Sequence, residues 1–325
     1  MKKTRQTTLP TISVILPTYN AEKDLENCLK SIKMQDYPKD KLEVIVIDGG
    51  SRDRTLEIAK KYHATILFNP FKDCDEGKSI GLKHATGEII ALIDADNELS
   101  SPKWFRTMVQ PIMEDPTLFG VESPWLIRDD DPLINQYETL LQVADPLARM
   151  FHPKMDIIDK GDYVVYRAKL GDTPVIGANG FLWRRNIINA VGGYEQKFEE
   201  VNFVARVIHG GYLSYAKVKD VGIYHYYCTS VVSYIKKRVK IGRKFLGRKA
   251  KGRKTWVDHA EHDSFILAVL YNLSIVGPLV EAIREYRKSK RIAWFWHPFI
   301  SWLTIVIYTY AVIEYQFNKV IKTHS

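Results

Sequence analysis

Asp94 and Asp96 flank a single alanine directly after the apolar run Ile89 to Ile93. An apolar run of that length, bounded by polar residues, reads as a buried strand. Both carboxylates therefore fall at a strand end, on the rim of the crevice where parallel sheets hold their ligands. Hard oxygen donors in that place suit Mg²⁺ or Mn²⁺ shared between a carboxylate and the phosphates of a substrate. A cation so held neutralises a departing diphosphate and makes it a better leaving group. Asp-x-Asp alone is common in solvated loops and helix caps; the preceding strand is what points to chemistry.

Two more polar clusters close apolar runs in the same way. Asp48 ends the run Glu43 to Ile47 and is followed by Gly49-Gly50-Ser51, which permits a tight turn and close approach of a ligand to the backbone. It is suited to accepting hydrogen bonds from a ribose or base. Pro17-Thr18-Tyr19-Asn20 ends the run Ile12 to Leu16. The expectation is that these strand tips converge, with Asp48, Asp94 and Asp96 around one cation and its pyrophosphate.

The elements that must position these residues follow from periodicity. From residue 10 to about 120, short apolar runs alternate with amphipathic stretches, the pattern of βα units around a mostly parallel sheet with flanking helices. Strands are predicted at 12–16, 43–47, 65–68, 89–93 and 118–122. Helices are predicted after Asn20 as an N-cap, after Ser51, from Lys78 to about His84 and from Pro102 to Met113. The pattern from 124 to 228 is less regular, with a helix expected from Val201 to His209, and reads as an acceptor-side half on the same sheet.

The net charge is +9, yet residues 231–254 hold eleven Lys and Arg and no acid, so the rest of the chain is mildly acidic. A nucleic-acid binder more often spreads its basic residues over a folded face with interleaved aromatics, so no nucleic-acid partner is expected. Basic residues among Val231, Val232, Ile235, Val239, Phe245 and Leu246 instead suit a helix in a membrane interface, against membrane lipids. Two apolar stretches follow, Ser264 to Ala282 and Ile292 to Ile313, each near the length that crosses a bilayer. Arg284, Arg287, Lys288, Lys290 and Arg291 link them. A spanning hairpin would place that basic link outside if the first 230 residues are cytoplasmic, against the positive-inside tendency. A spanning hairpin and a pair of re-entrant or interfacial helices both stay open. The three cysteines, Cys28, Cys74 and Cys228, have no disulfide or zinc spacing and fit a reducing compartment. The run Ile12 to Leu16 is too short for a signal-peptide core.

Taken together, Ser13 to Asn20 (SVILPTYN), Glu43 to Thr55 (EVIVIDGGSRDRT) and Gly87 to Asp96 (GEIIALIDAD) resemble the family 2 glycosyltransferases, which have the GT-A fold, a Rossmann-like α/β architecture. The resemblance covers roughly residues 10 to 230, with the donor half at 10–123, the acceptor half at 124–230 and membrane-associated helices at 231–325. It implies a nucleotide-sugar donor held by Pro17, Tyr19 and Asp48, and Mg²⁺ or Mn²⁺ with the diphosphate at Asp94 and Asp96. Asp75-Glu76-Gly77-Lys78-Ser79 looks like the family's glycine-containing turn, which brings Lys78 toward a donor phosphate. Gly177-Ala178-Asn179-Gly180 is similar to the loop under the donor sugar and the acceptor. Phe198-Glu199-Glu200 resembles the acidic motif whose second member acts as base, which places that role on Glu200 with Glu199 as fallback.

The motif departs from the commoner Glu-Asp pair, and Asn202 stands where a further Asp is frequent. Where processive synthases carry Gln-x-x-Arg-Trp, this chain has Lys240-Ile241-Gly242-Arg243-Lys244, which implies transfer of one sugar per binding event. The expectation is an inverting, metal-dependent transfer to a lipid-linked or glycan acceptor at a membrane, with the catalytic part on the cytoplasmic side. The alternative is a non-catalytic membrane-bound scaffold that binds nucleotide or glycan. A nucleotidyltransferase is disfavoured because Pro17-Thr18-Tyr19-Asn20 is neither glycine-rich nor basic.

Overall fold

A computed structural model describes residues 8–143, 145–150, 153–177, 179–193, 198–250, 252 and 262–324, without the side chains of 201, 262–264 and 320–324. The strands are β1 (Ile12–Thr18), β2 (Leu42–Asp48), β3 (Thr65–Phe68), β4 (Ile89–Leu92), β5 (Asn97–Leu99), β6 (Leu118–Glu122), β7 (Trp125–Leu126), β8 (Asp156–Asp159), β9 (Tyr163–Arg167), β10 (Phe181–Arg184), β11 (Ser214–Val218) and β12 (Ile223–His225). The helices are α1 (Leu25–Lys33), α2 (Thr55–Lys61), α3 (Cys74–His84), α4 (Trp104–Glu114), α5 (Leu133–Leu141), α6 (Pro146–Arg149), α7 (Arg185–Ala190), α8 (Glu200–His209), α9 (Val231–Ala250), α10 (His262–Leu273), α11 (Val276–Ser289) and α12 (His297–His324).

The chain divides into two compact units. The first, residues up to 126 together with 153–225, is built on a nine-stranded sheet of order β3-β2-β1-β4-β10-β6-β11-β9-β8. β3, β2, β1 and β4 pair in parallel. β10 then enters antiparallel between β4 and β6, so the far side of the sheet is mixed and only the first four strands form a parallel block. β1 is buried along almost its whole length because helices cover both of its faces. Val14 and Leu16 join the core under α1 and α4, while Ile15 points the other way, into the core with Leu82 and Val204. A second, three-stranded sheet has the order β5-β12-β7.

Two expected details shift. α1 begins at Leu25, not after Asn20; Asn20 instead has φ +49° and accepts a hydrogen bond from Arg52 N at 2.9 Å, tying the β1 tip to the β2 loop. α3 begins at Cys74, earlier than Lys78, because the Asp73 side chain caps it by accepting from Asp75 N and Glu76 N.

The second unit comprises residues 127–152 with those from 226 onward. Residues 127–152, read from sequence as part of the acceptor half, pack with the C-terminal helices because Ile134, Tyr137 and Leu141 of α5 share a core with Tyr234, Trp294, Ile300 and Ile307. The first apolar stretch is not one continuous helix: it divides into α10 and α11, bent by 81° at the break. Residues 292–319 are long and apolar enough to cross a membrane. α9 covers the basic segment, but its inward face, Tyr234, Arg238 and Gly242, is buried in the unit. That helix therefore spends one face on protein, and its remaining positions, Val232, Lys236, Lys240 and Ile241 among them, stay exposed.

Candidate functional site

The site lies where β1, β2 and β4 end and α3 and α8 begin. At the β2 tip Asp48 is buried, and both of its carboxylate oxygens accept hydrogen bonds within the loops. Oδ2 accepts from Gly50 N and Ser51 N, each at 2.8 Å, and Oδ1 from Ser51 Oγ at 2.5 Å and Thr18 Oγ1 at 3.2 Å. Asp48 thus shapes the turn. Gly50 has φ +82°, a conformation that favours glycine. Tyr19 is half exposed with Lys72 Nζ 5.6 Å from its ring centre, and Pro17 lies under α3 at the close approach that Gly77 permits.

At the β4 tip Asn97 folds the Asp94-Ala95-Asp96 turn back on itself. Its Oδ1 accepts from Asp94 N at 3.1 Å, and its Nδ2 donates to Asp96 Oδ1 at 3.3 Å. Both aspartates keep about a quarter of their side-chain surface open. Asp94 Oδ1 is buried without a hydrogen-bond partner. Lys78 Nζ lies 3.6 Å from it. Lys78 also donates to Glu200 Oε1 in a close ion pair. Lys78 is thus a buried cation between two carboxylates. Burial opposes its charge, but the Asp94 and Glu200 carboxylates outweigh that and hold the ammonium well above its ordinary pKa.

Glu200 opens α8, and α3 fixes where α8 starts. Phe198 N donates to Ser79 Oγ at 2.7 Å, next along α3 to the Lys78 contact with Glu200. Glu199 is turned inward, buried, and accepts from Asn202 Nδ2 at 2.7 Å. Asn202, read as a departure from the acidic motif, holds Glu199 down while Glu200 keeps 30% of its side chain exposed. Asn179 has φ +41° and a buried Oδ1 without a hydrogen-bond partner; its loop is anchored by Gly180 N donating to Leu92 O at 2.8 Å. Ala178 lies outside the described residues.

One residue escaped the sequence reading. His225, at the end of β12, pairs in register with Asn97 of β5 and places Nε2 3.7 Å from Asp96 Oδ1. A histidine closing a three-residue apolar-polar run 129 positions downstream carries no local signal; only the small sheet brings it here. The orphaned Asp94 oxygen, the Asp96 carboxylate and the imidazole nitrogen are the donor types that hold a divalent cation. Among the described residues, no three His, Cys, Asp or Glu side chains converge closely enough to hold one by themselves. Phosphate and water would have to complete such a shell.

Residues 13–165, just under half of the chain, match the family described as Glycosyl transferase family 2. The chain is 38% identical over 95 residues to glycosyltransferase AglE of Haloferax volcanii, covering 27% of this chain and 31% of that protein. It is 27% identical over 215 residues to the probable glycosyltransferase YdaM of Bacillus subtilis, covering 63% of this chain and 48% of that one. The matches thus span about a third to a half of these two relatives. Among solved structures, mannosyltransferase PcManGT from Pyrobaculum calidifontis, in complex with GDP-Man and Mn²⁺, superposes with a TM-score of 0.57 at 18% identity, over 96% of this chain and 89% of that one. At that identity the likeness carries the architecture alone. The chain has the α/β GT-A fold with a helical C-terminal region, and residues 13–165 carry the glycosyl transferase family 2 pattern.

Proposed function

We propose that this chain is an inverting glycosyltransferase that moves one sugar from a nucleotide-sugar donor to a lipid-linked or glycan acceptor at a membrane, with its catalytic unit on the cytoplasmic side. The observation that carries the reading is the Asp94–Lys78–Glu200 arrangement, in which one buried cation holds the carboxylate of the donor-side turn and the carboxylate of α8 at the same crevice.

In this reading Pro17, Tyr19 and the loop that Asp48 folds receive the nucleotide, while the Asn179 loop underlies the sugar. Asp94 and Asp96, with His225 as a nitrogen donor, would hold Mg²⁺ or Mn²⁺; when bound, the cation supplies positive charge to the departing diphosphate. Glu200 takes the proton from an acceptor hydroxyl. The hydroxyl oxygen bonds to the anomeric carbon as the bond to the diphosphate oxygen breaks, and the diphosphate leaves with that electron pair. General-base help of this kind typically contributes about 10² to 10⁴ in rate. Lys78 fixes the direction from which the Glu200 carboxylate faces the crevice. A phosphate acceptor is already ionised and needs little help from Glu200.

A panel of nucleotide sugars assayed for diphosphate release, with Mn²⁺, with Mg²⁺ and with chelator, tests the reading. Release of diphosphate from at least one donor, abolished by chelator, is expected. Metal-dependent nucleotide binding with no turnover on any donor and acceptor pair would instead favour the scaffold.

A further inference from the structure

α12 has two faces of opposite use. His297, Ser301, Thr304, Tyr308 and Ala311 recur every three or four residues and are turned into the helical unit. On the opposite face Phe299, Trp302, Val306, Tyr310 and Ile313 stand exposed at the same spacing, and no charged residue interrupts positions 292–313. A stripe of that size on a protein surface marks something that covers it. By length and composition alone it would suit a helix that crosses a bilayer.

α9 opposes that orientation. It runs alongside α12 in the same direction: Tyr234 Oη meets Thr304 Oγ1 at 2.6 Å, Gly242 packs on Ala311, and Arg243 donates to Glu314 at 2.6 and 2.7 Å. At 1.5 Å rise per residue, the centre of the run 292–313 lies at the height of Tyr234. A spanning α12 would therefore carry Lys236 and Lys240, both exposed on α9, into the hydrocarbon core. Charged side chains at that depth are strongly disfavoured unless they are paired or reach water. Neither α10 nor α11 is long enough to span alone. They are about 18 and 21 Å long against a core of about 30 Å, and they meet at 81°. The elbow between them exposes Leu270, Ile275, Val276 and Val280. Arg284 and Lys288 follow on α11, exposed, as expected where a helix leaves lipid for the headgroup layer.

We propose that the helical unit is monotopic: the outer stripe of α12 and the α10–α11 elbow lie in one leaflet of a bilayer, and neither crosses it. The occupant of this apolar surface is lipid, with α9 and the 284–291 link remaining on the same aqueous side. This rests on the membrane placement proposed above and adds its geometry.

The test uses full-length protein with the exposed Cys74 replaced by Ser; Cys28 and Cys228 are buried. Lys288→Cys, at the end of α11 ahead of α12, and Asn318→Cys, near the far end of α12, are placed one at a time in sealed vesicles of zwitterionic and anionic lipid and probed with a membrane-impermeant maleimide before and after detergent. Both thiols are expected to react from the same side, to within about twofold, and a Val306→Cys thiol to react only after detergent. Labelling of positions 288 and 318 from opposite faces would show a spanning helix and overturn the proposal while leaving membrane association intact. Failure of the unsubstituted protein to float with vesicles would overturn both, and diphosphate release in the donor assay reports on the transferase reading separately.

Discussion

Each unit buries a cation between two acidic side chains, and the two arrangements differ in what is left open. In the sheet unit Lys78 is 2% exposed, while its partners Asp94 and Glu200 keep 28% and 30% of their side chains at the surface. In the helical unit Arg238 is also 2% exposed, but its partners Glu138 and Asp145 keep only 1% and 12%. Arg238 lies 3.3 Å from Glu138 and 3.4 Å from Asp145, Tyr308 donates to Asp145, and the rings of Tyr227 and Tyr234 flank the guanidinium. A buried cation with open anions holds reactive groups in place and leaves them able to meet a substrate. A buried cation with closed anions joins helices. Burial of the anions, not of the cation, separates the candidate site from the scaffold.

The largest effects should fall on opposite properties in the two places. Glu200→Gln keeps shape and removes the base, so turnover with a hydroxyl acceptor should fall by about 10² to 10⁴, while the melting temperature falls less than for Arg238→Met because Asp94 still pairs with Lys78. A loss under about threefold would mean that the acceptor is a phosphate or that the base lies elsewhere. Arg238→Met removes the buried partner shared by Asp145 and Glu138, which costs on the order of 3–5 kcal/mol where a buried pair is broken. Thermal unfolding followed by circular dichroism should register it, and a shift of only a degree or two would contradict a structural role.

Lys78→Met decides whether the sheet cluster is a positioning device. Its carboxylates retain contact with water, so the stability loss should be smaller than for Arg238→Met. The rate of donor turnover should drop by about 10²-fold, as when a reacting group is misplaced by roughly 1 Å. Lys78→Arg should restore part of the rate. Equal losses of stability at Lys78 and Arg238, with turnover per folded molecule intact, would erase the distinction drawn above.

Much of the sheet unit was legible in the sequence because its signals are local. The runs at 12–16, 43–47, 65–68, 89–93 and 118–122 each fall on a strand with bounds moved by two residues or fewer, and Glu200 does open a helix. What was illegible depends on partners distant in the chain. Lys78 sits among Asp75, Glu76 and Ser79, a polar context that does not announce burial; the clue is Gly81, where a Cβ would come within 2.7 Å of Ile15. His225 reaches Asp96 only through β12, and β10 enters the sheet antiparallel from a stretch that reads as loop. The break at Ser274-Ile275 interrupts a run that is apolar on both sides, so hydropathy passes straight over it. Arg238 looks like one of many basic residues in its segment, and nothing nearby announces Glu138, 100 positions earlier.

The smallest predicted effect is on pH dependence, and it belongs to the closed cluster. Burial, the largest influence, raises the pKa of Glu138; Arg238 pulls it down and Asp145 pushes it up again, and the outcome is a value of about 8. The unfolded chain titrates this group near its ordinary 4.5, so between about 4.5 and 8 the folded state holds the proton more tightly. Unfolding then releases a proton, and the contribution of this group to stability is complete below pH 4.5 and is lost as pH rises through about 8. Melting temperature measured from pH 5 to 8 should fall more steeply for the unsubstituted protein than for Glu138→Gln, which cannot ionise. Parallel slopes would mean that Glu138 is ionised against Arg238 throughout. The two clusters would then share one electrostatic design and differ only in access to water.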